Sequence, residues 1–348
     1  MASSTLNNIV VTGANGYLAL HVINQLLKTG YNVHATVRPQ KADKKVCATF
    51  PEHYGTRLTT VFVEYLTKPE LFRDAFDNNT VGAIHVASPV HGHIEDNVRN
   101  MLDPAVKGAT GILDASKFYA GPSFRRVVHL SSSAAMIDAT KGLRPGYTYT
   151  DSDWNPVTFE EAVSMKDHVP LYIASKYLSE RAVWAWMAEH KPKFGLACVN
   201  PTMVLGPHLE TINSLDEVTS TAKFLWQLVD ACEIPQLLWA GCVDVRDTAA
   251  MTVAAFEKPE AGGQRLLLAH HFDWQTASDI AREELSEEAG GRIPVGRPGT
   301  GRSDALDHIY QVDGSNAVNI LGVGYRPLLE TVKDTLLQLL AVEGKAIR

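Results

Sequence analysis

Two side chains one helical turn apart, Tyr172 and Lys176, are equipped to move a proton. They lie in LYIASKYLSERAVWAWMAEH, a stretch with helical periodicity that stops before Lys191-Pro192. Positions i and i+4 therefore share one face. An ammonium beside a phenol favours phenolate, so the hydroxyl can give a proton to a carbonyl oxygen during reduction or take one in reverse. Such chemistry needs a third group to bind that oxygen as charge builds on it. The strand-like run RRVVHL leads straight into Ser131, Ser132 and Ser133, and a hydroxyl at the C-terminal edge of a parallel sheet is well placed for the task.

A second constellation lies near the N-terminus. Gly13, Gly16 and Ala19 form a Gly-x-x-Gly-x-x-Ala turn after an apolar run and before a helical pattern. Glycine lets backbone N–H groups approach a pyrophosphate, and the helix N-terminus favours its negative charge. At the end of the next strand an acid would bind the free ribose 2′-hydroxyl of NAD. This chain places Arg38 there, with Lys41, Lys44 and Lys45 close behind and no acid between Gly16 and Lys41. A guanidinium suits a 2′-phosphate, so the expected cofactor is NADPH/NADP.

Both constellations need a scaffold that brings strand ends together. Short apolar runs at 9–12, 33–37, 60–63, 83–87, 127–130 and 196–200 alternate with longer helical patterns. Continuous apolar strands between helices predict a parallel sheet covered on both faces. The fold expected is α/β, a Rossmann-type doubly wound parallel sheet with a smaller, interleaved C-terminal substrate lobe. Residues 1–200 would form the NADP(H)-binding domain, with returning segments near 241–270, and 201–348 would be mainly the substrate-binding lobe. The stretch 290–301 reads as loop, and the last helix spans roughly 328–342.

Composition narrows the function further. A net charge of −7 without a dense basic block argues against nucleic acid as a partner. The start, MASSTLNN, lacks the features of a secretory signal, and no apolar run is long enough to span a bilayer. Four cysteines without disulfide or metal spacing suit a reducing compartment, so the expected location is cytoplasmic. Neither His91-Gly92-His93 nor His270-His271 has further ligands at structural-zinc spacing, and no metal is expected.

In this order, the turn, serine and Tyr-Lys motifs resemble the extended short-chain dehydrogenase/reductase family. TGANGYLALHV, RRVVHLSSSAA, SDWNPVTFEEA and YIASKYLSERAVWAWM are most similar to its fungal carbonyl (aldehyde/methylglyoxal) reductase and dihydroflavonol reductase-like branch. The resemblance runs from about residue 6 to 342 and takes in VNPTMVLGP, VDVRD, RIPVG and the tail. It implies Tyr172 as proton donor, Lys176 as the residue holding the nicotinamide ribose, and Ser132 as the carbonyl-orienting serine, with Ser133 the alternative. It also implies Gly13, Gly16, Tyr17 and Leu18 at the diphosphate, and Arg38 and Lys45 at the 2′-phosphate. Ala87, Ser88, Pro201, Thr202 and Met203 would border the nicotinamide. Where the family often has an acid near the adenine, this chain reads Glu64-Tyr65-Leu66, and Tyr65 would pack there instead.

The activity expected is reduction of an uncharged, partly apolar or aromatic aldehyde or ketone, in a monomer or homodimer. Pro89, Ser133, Met203 and Trp226 are candidates for the substrate pocket. Two alternatives use the same scaffold: a sugar-nucleotide epimerase or dehydratase with retained NAD, and a non-catalytic NADP(H)-sensing regulator. Arg38→Asp should shift nucleotide preference toward NADH, measured as the ratio of NADPH to NADH affinities. An unchanged ratio would clear Arg38 of that role.

Overall fold

The computed structural model describes residues 7–38, 42–88, 94–218 and 221–346. The strands are β1 (Asn8–Thr12), β2 (Asn32–Val37), β3 (Leu58–Phe62), β4 (Thr80–His85), β5 (Arg126–Leu130), β6 (Thr148–Tyr149), β7 (Gly195–Pro201), β8 (Met203–Leu205), β9 (Gly241–Asp244), β10 (Arg265–Leu268), β11 (His270–His271) and β12 (Gln311–Val312). The helices are α1 (Tyr17–Lys28), α2 (Ala42–Thr49), α3 (Asp103–Tyr119), α4 (Phe159–Val163), α5 (His168–His190), α6 (Val245–Glu257), α7 (Trp274–Glu284), α8 (Glu287–Gly291), α9 (Gly301–His308), α10 (Ser315–Leu321) and α11 (Leu328–Ala346).

Seven strands form the central sheet in the order β10-β7-β5-β4-β1-β2-β3, every neighbouring pair parallel. The chain winds outward from β1 to β3 and then crosses back to β4. The order therefore reverses between β1 and β4, and a crevice opens beyond their C-terminal ends. All five residues of β1 and all six of β4 are buried, as expected of strands covered on both faces. Each fully buried Val, Leu or Ile among them contributes roughly 1.5–3 kcal/mol. On one face α6 lies so close to β4 that a Cβ on Gly82 would fall 2.1 Å from the Phe256 ring.

The last strand of the sheet, β10, comes from beyond residue 200, so the chain returns to the sheet after leaving it. Strands β8, β9 and β11 form a separate small sheet, and β6 pairs with β12. Around them a second core gathers Leu225, Leu228, Phe272, Trp274 and Leu336. Asp244, at the end of β9, ties this region to the first. Its carboxylate caps α6 by accepting from Arg246 N at 2.8 Å, takes the Arg246 guanidinium through Nε and Nη2, and accepts from Thr331 Oγ1 of α11. Asp247, in the first turn of α6, accepts from Arg326 N at 2.6 Å.

The strand and helix expectations hold to within three residues for six of the seven sheet strands and the start of α11. Two regions differ. Residues 290–291 finish α8 and Gly301 opens α9, so only the span between them is loop. The short β6 and β12 carry too few residues for an alternating pattern to declare them. No helix among the described residues is long and apolar enough to cross a membrane.

Candidate active site

The glycine turn opens the crevice at the sheet's switch point. Gly13 has φ +65, and a Cβ there would meet Ala87 Cα at 3.0 Å. Only glycine lets the β1–α1 turn sit this close to the chain leaving β4. Gly16 N donates to Gly13 O, and Gly16 caps α1. The first intrahelical bond, Leu20 N to Gly16 O, leaves the N–H groups of the preceding first turn to an outside acceptor. No acidic side chain stands in that turn, so its positive end is uncompensated.

From this turn a cleft of about 670 Å³ runs along the strand ends. Gly13, Gly16, Leu18, Arg38, Ala87 and Ser88 all line it, and Tyr65 and Leu66 stand at its far wall. Arg38 is exposed at the end of β2. Backbone donors at one place and a guanidinium beyond them fit a dinucleotide with a 2′-phosphate. Tyr65 is half exposed at this wall, with the Lys68 ammonium 5.0 Å from its ring centre.

Lys45 and Tyr17 use their side chains otherwise. Lys45 Nζ is 2.5 Å from Glu210 Oε1, a carboxylate that also meets His208 Nδ1 at 3.1 Å. Burial alone would raise the Glu210 pKa, but hydrogen bonds from His208 and Lys45 hold it at about 2. The Tyr17 hydroxyl donates to Gly206 O at 2.7 Å, and Tyr17 opens α1 directly after Gly16. Leu18, beside it, faces the cleft directly.

Helix α5 carries the other constellation to the same place. Lys176 is buried, and its Nζ lies 3.5 Å from Leu130 O, the last residue of β5. It borders a small cavity with Leu66, Ala87, Ser88, His85 and His129. Four of this cavity's walls, Leu66, Ala87, Ser88 and Pro104, also line the large cleft. The ammonium thus adjoins the inner end of the dinucleotide-shaped space. Burial pushes Lys176 down to about 8, with the nearby Glu180 carboxylate opposing.

Tyr172 stands one turn above, 37% exposed. Its phenol is nevertheless crowded enough by protein that desolvation raises its pKa. At neutral pH it carries a proton to give. The three serines separate by their partners. Ser131 Oγ donates to Glu180 Oε2 at 2.5 Å, and Ser133 is buried inside a 3₁₀ turn, Ser133–Ala135, that packs against α5. Ser132 is half-buried and its Oγ accepts from Ala134 N at 3.2 Å. That leaves its own hydroxyl hydrogen to donate.

Among the remaining expectations, Pro201 ends β7 in a buried position, and Thr202 fastens to Leu268 O through both N and Oγ1. Met203 opens β8 and packs on the second core. Trp226 packs in a cluster with Tyr17, Val218, Val245 and Leu339, with the Arg292 guanidinium 5.9 Å from its ring centre. Pro89, Lys41, His91 and His93 lie outside the described residues. His271 meets Asp273 at 3.0 Å.

Three features of the site were not read from the sequence. Arg99, from the π-helical turn Val98–Leu102 before α3, reaches the cleft. His85 and His129 stack at 5.5 Å behind Lys176. Burial pushes His85 down to about 3, so the pair is neutral. Glu180 is fully buried four residues after Lys176, on the same helical face by its spacing.

The profile of the NAD dependent epimerase/dehydratase family matches residues 9–269. The chain belongs to this family. Within it, the chain is 34% identical to the NADPH-dependent methylglyoxal reductase GRE2 of Saccharomyces cerevisiae, covering 97% of this chain and 99% of that protein. It is 32% identical to the ketoreductase azaE of Aspergillus niger, covering 97% and 98%. The crystal structure of yeast methylglyoxal/isovaleraldehyde reductase Gre2 complexed with NADPH superposes with a TM-score of 0.88 at 33% identity, covering 97% and 99%. Each of these alignments extends past residue 269, where the family match ends, to cover 97% of the chain.

Proposed function

We propose that this protein is an NADPH-dependent carbonyl reductase that converts an aldehyde or ketone to an alcohol. The observation that carries the reading is the buried Lys176 ammonium. It lies at the end of β5, one turn from a protonated Tyr172, in a cavity that shares Ala87 and Ser88 with the glycine-turn cleft. Its similarity to NADPH-dependent reductases over almost the full chain supports the same activity. Arg38, where an NAD-retaining epimerase or dehydratase would carry an acid, speaks for reduction with exchangeable NADPH.

The first turn of α1, with Gly13 and Gly16, binds the diphosphate, and Arg38 takes the 2′-phosphate. When bound, NADPH supplies the hydride that reduces the carbonyl carbon. Ser132 Oγ donates a hydrogen bond that orients the carbonyl oxygen and steadies charge developing there. Tyr172 Oη delivers its proton to that oxygen. Lys176 Nζ holds the nicotinamide ribose and, as a cation, stabilises the phenolate left behind. Residues 1–200 and the returning stretch near 241–270 carry the cofactor, and 201–348 mainly roof the substrate. Free cysteines at 47, 198, 232 and 242 suit a cytoplasmic enzyme.

Tyr172→Phe should keep NADPH affinity while lowering turnover at least about 10²-fold, measured as NADPH oxidation against a panel of aldehydes, aryl ketones and β-ketoesters. Wild-type turnover in that variant would remove the mechanism. The pH dependence follows from Lys176. Its charged form is present below about 8 and lost as pH rises through that value, while Tyr172, raised above its ordinary value, stays protonated. The kcat/KM for NADPH, which reports the free enzyme, should be level near neutrality and fall above about 8. A profile that stays level across the alkaline range would contradict the assignment.

A further inference from the structure

Glu180 has no solvent exposure at all, yet it is a carboxylate in the interior of a helix. A buried charge persists only when partners replace the water it has lost. Its Oε2 accepts from Ser131 Oγ and from Asn200 Nδ2, each at 2.5 Å. Its Oε1 accepts from Arg265 Nε at 2.6 Å and from Trp184 Nε1 at 3.4 Å. Three of these donors lie outside α5: at the end of β5, in β7 and in β10.

Each of those three continues to the serine turn. Ser131 directly precedes Ser132, and its own N–H is fixed to Val199 O of β7 at 2.9 Å. The amide of Asn200 also reaches Ser132 O at 3.0 Å, so one Nδ2 spans the carboxylate and the backbone of the orienting serine. Arg265 holds Asp151 O at 2.8 Å and Asp153 O at 2.6 Å, with its guanidinium 3.4 Å from the Trp154 ring centre. The chain it fixes continues to Asn155, whose amide donates to Ala134 O and Ile137 O on the far side of the turn. The loop bearing Ser132 is therefore gripped on both sides, and both grips lead to one side chain on the helix that bears Tyr172 and Lys176.

We infer that Glu180 is a positioning residue for carbonyl reduction: its buried carboxylate fixes the Ser132 turn to the Tyr172–Lys176 helix and so sets the distance between the oxygen-orienting hydroxyl and the proton donor. The inference rests on the reductase reading given above. It adds that the trio's geometry depends on a carboxylate that touches neither substrate nor cofactor. Sub-ångström placement matters here, because a shift of about 1 Å between reacting groups can cost about 10²-fold in rate. Glu180 also acts on Lys176 through space, supporting its charge from one helical turn away.

The test compares Glu180→Gln and Ser131→Ala with wild type, using NADPH fluorescence titration, steady-state reduction of methylglyoxal and pH profiles. Glu180→Gln keeps the shape but removes the charge. It should lower kcat about 10-fold or more, leave NADPH affinity at the wild-type value and move the alkaline limb to lower pH, because Lys176 loses its supporting anion. Ser131→Ala removes a single bond to the turn and should lower kcat several-fold without moving that limb. A folded Glu180→Gln enzyme with wild-type kcat and an unmoved limb would overturn the inference. If Glu180→Gln does not fold, because Arg265 is left buried without its partner, Ser131→Ala decides, and wild-type kcat in that variant overturns the inference. Failure of the reductase reading looks different: wild type itself would then reduce no carbonyl compound with NADPH.

Discussion

The site depends on keeping one ammonium out of water at the edge of a parallel sheet. Lys176 is buried, with only a long hydrogen bond to Leu130 O among the described residues, and burial draws its proton affinity toward neutrality. Such a position would be costly in an ordinary core. Here it is tolerable because the cavity beside it joins a cleft shaped for a polar, hydroxyl-bearing ligand, and because Glu180 lies one turn further along the helix. The neutral histidines behind it, His85 and His129, add no competing charge. Neither nitrogen of His129 finds a partner among the described residues, so that wall offers polarity without a fixed bond.

Much of the rest of the fold serves to keep this edge in place. Helix α5 must run across the ends of β5 and β7, and the Ser131–Glu180–Asn200 contacts fasten it there. The glycine turn must approach the chain leaving β4, and Gly13 against Ala87 sets that distance. The second region must close over the first, and Asp244, Arg246 and Asp334 join α6 to α11 across that boundary. The Ser131–Glu180–Asn200 and Asp244–Arg246–Asp334 fastenings are polar and join residues far apart in sequence. They fix geometry more than they add stability, since a buried ion pair largely repays its own desolvation.

The sheet was legible in the sequence because its central strands are covered on both faces and so read as unbroken apolar runs bounded by helices. The turn residues Gly13 and Gly16 and the 172/176 spacing were legible because their chemistry is local. Glu180 was not, because in LYIASKYLSERAVW it looks like one more polar position on a helix; only Ser131, Asn200 and Arg265, all distant in the chain, mark it as buried. Lys45 has a contact that its sequence neighbourhood does not show. Glu210, far along the chain, engages its ammonium. Helix α9 went unread because it opens on Gly301 straight after a stretch rich in proline and glycine.

The central claim is that this chain directs a hydride from a bound nicotinamide to a carbonyl carbon. Incubating the enzyme with an aryl ketone and NADPH deuterated at one or the other face of nicotinamide C4 tests it most directly. The account predicts deuterium at the carbinol carbon of the product from only one of the two labelled cofactors. An alcohol free of deuterium from both, or no alcohol at all, would contradict it.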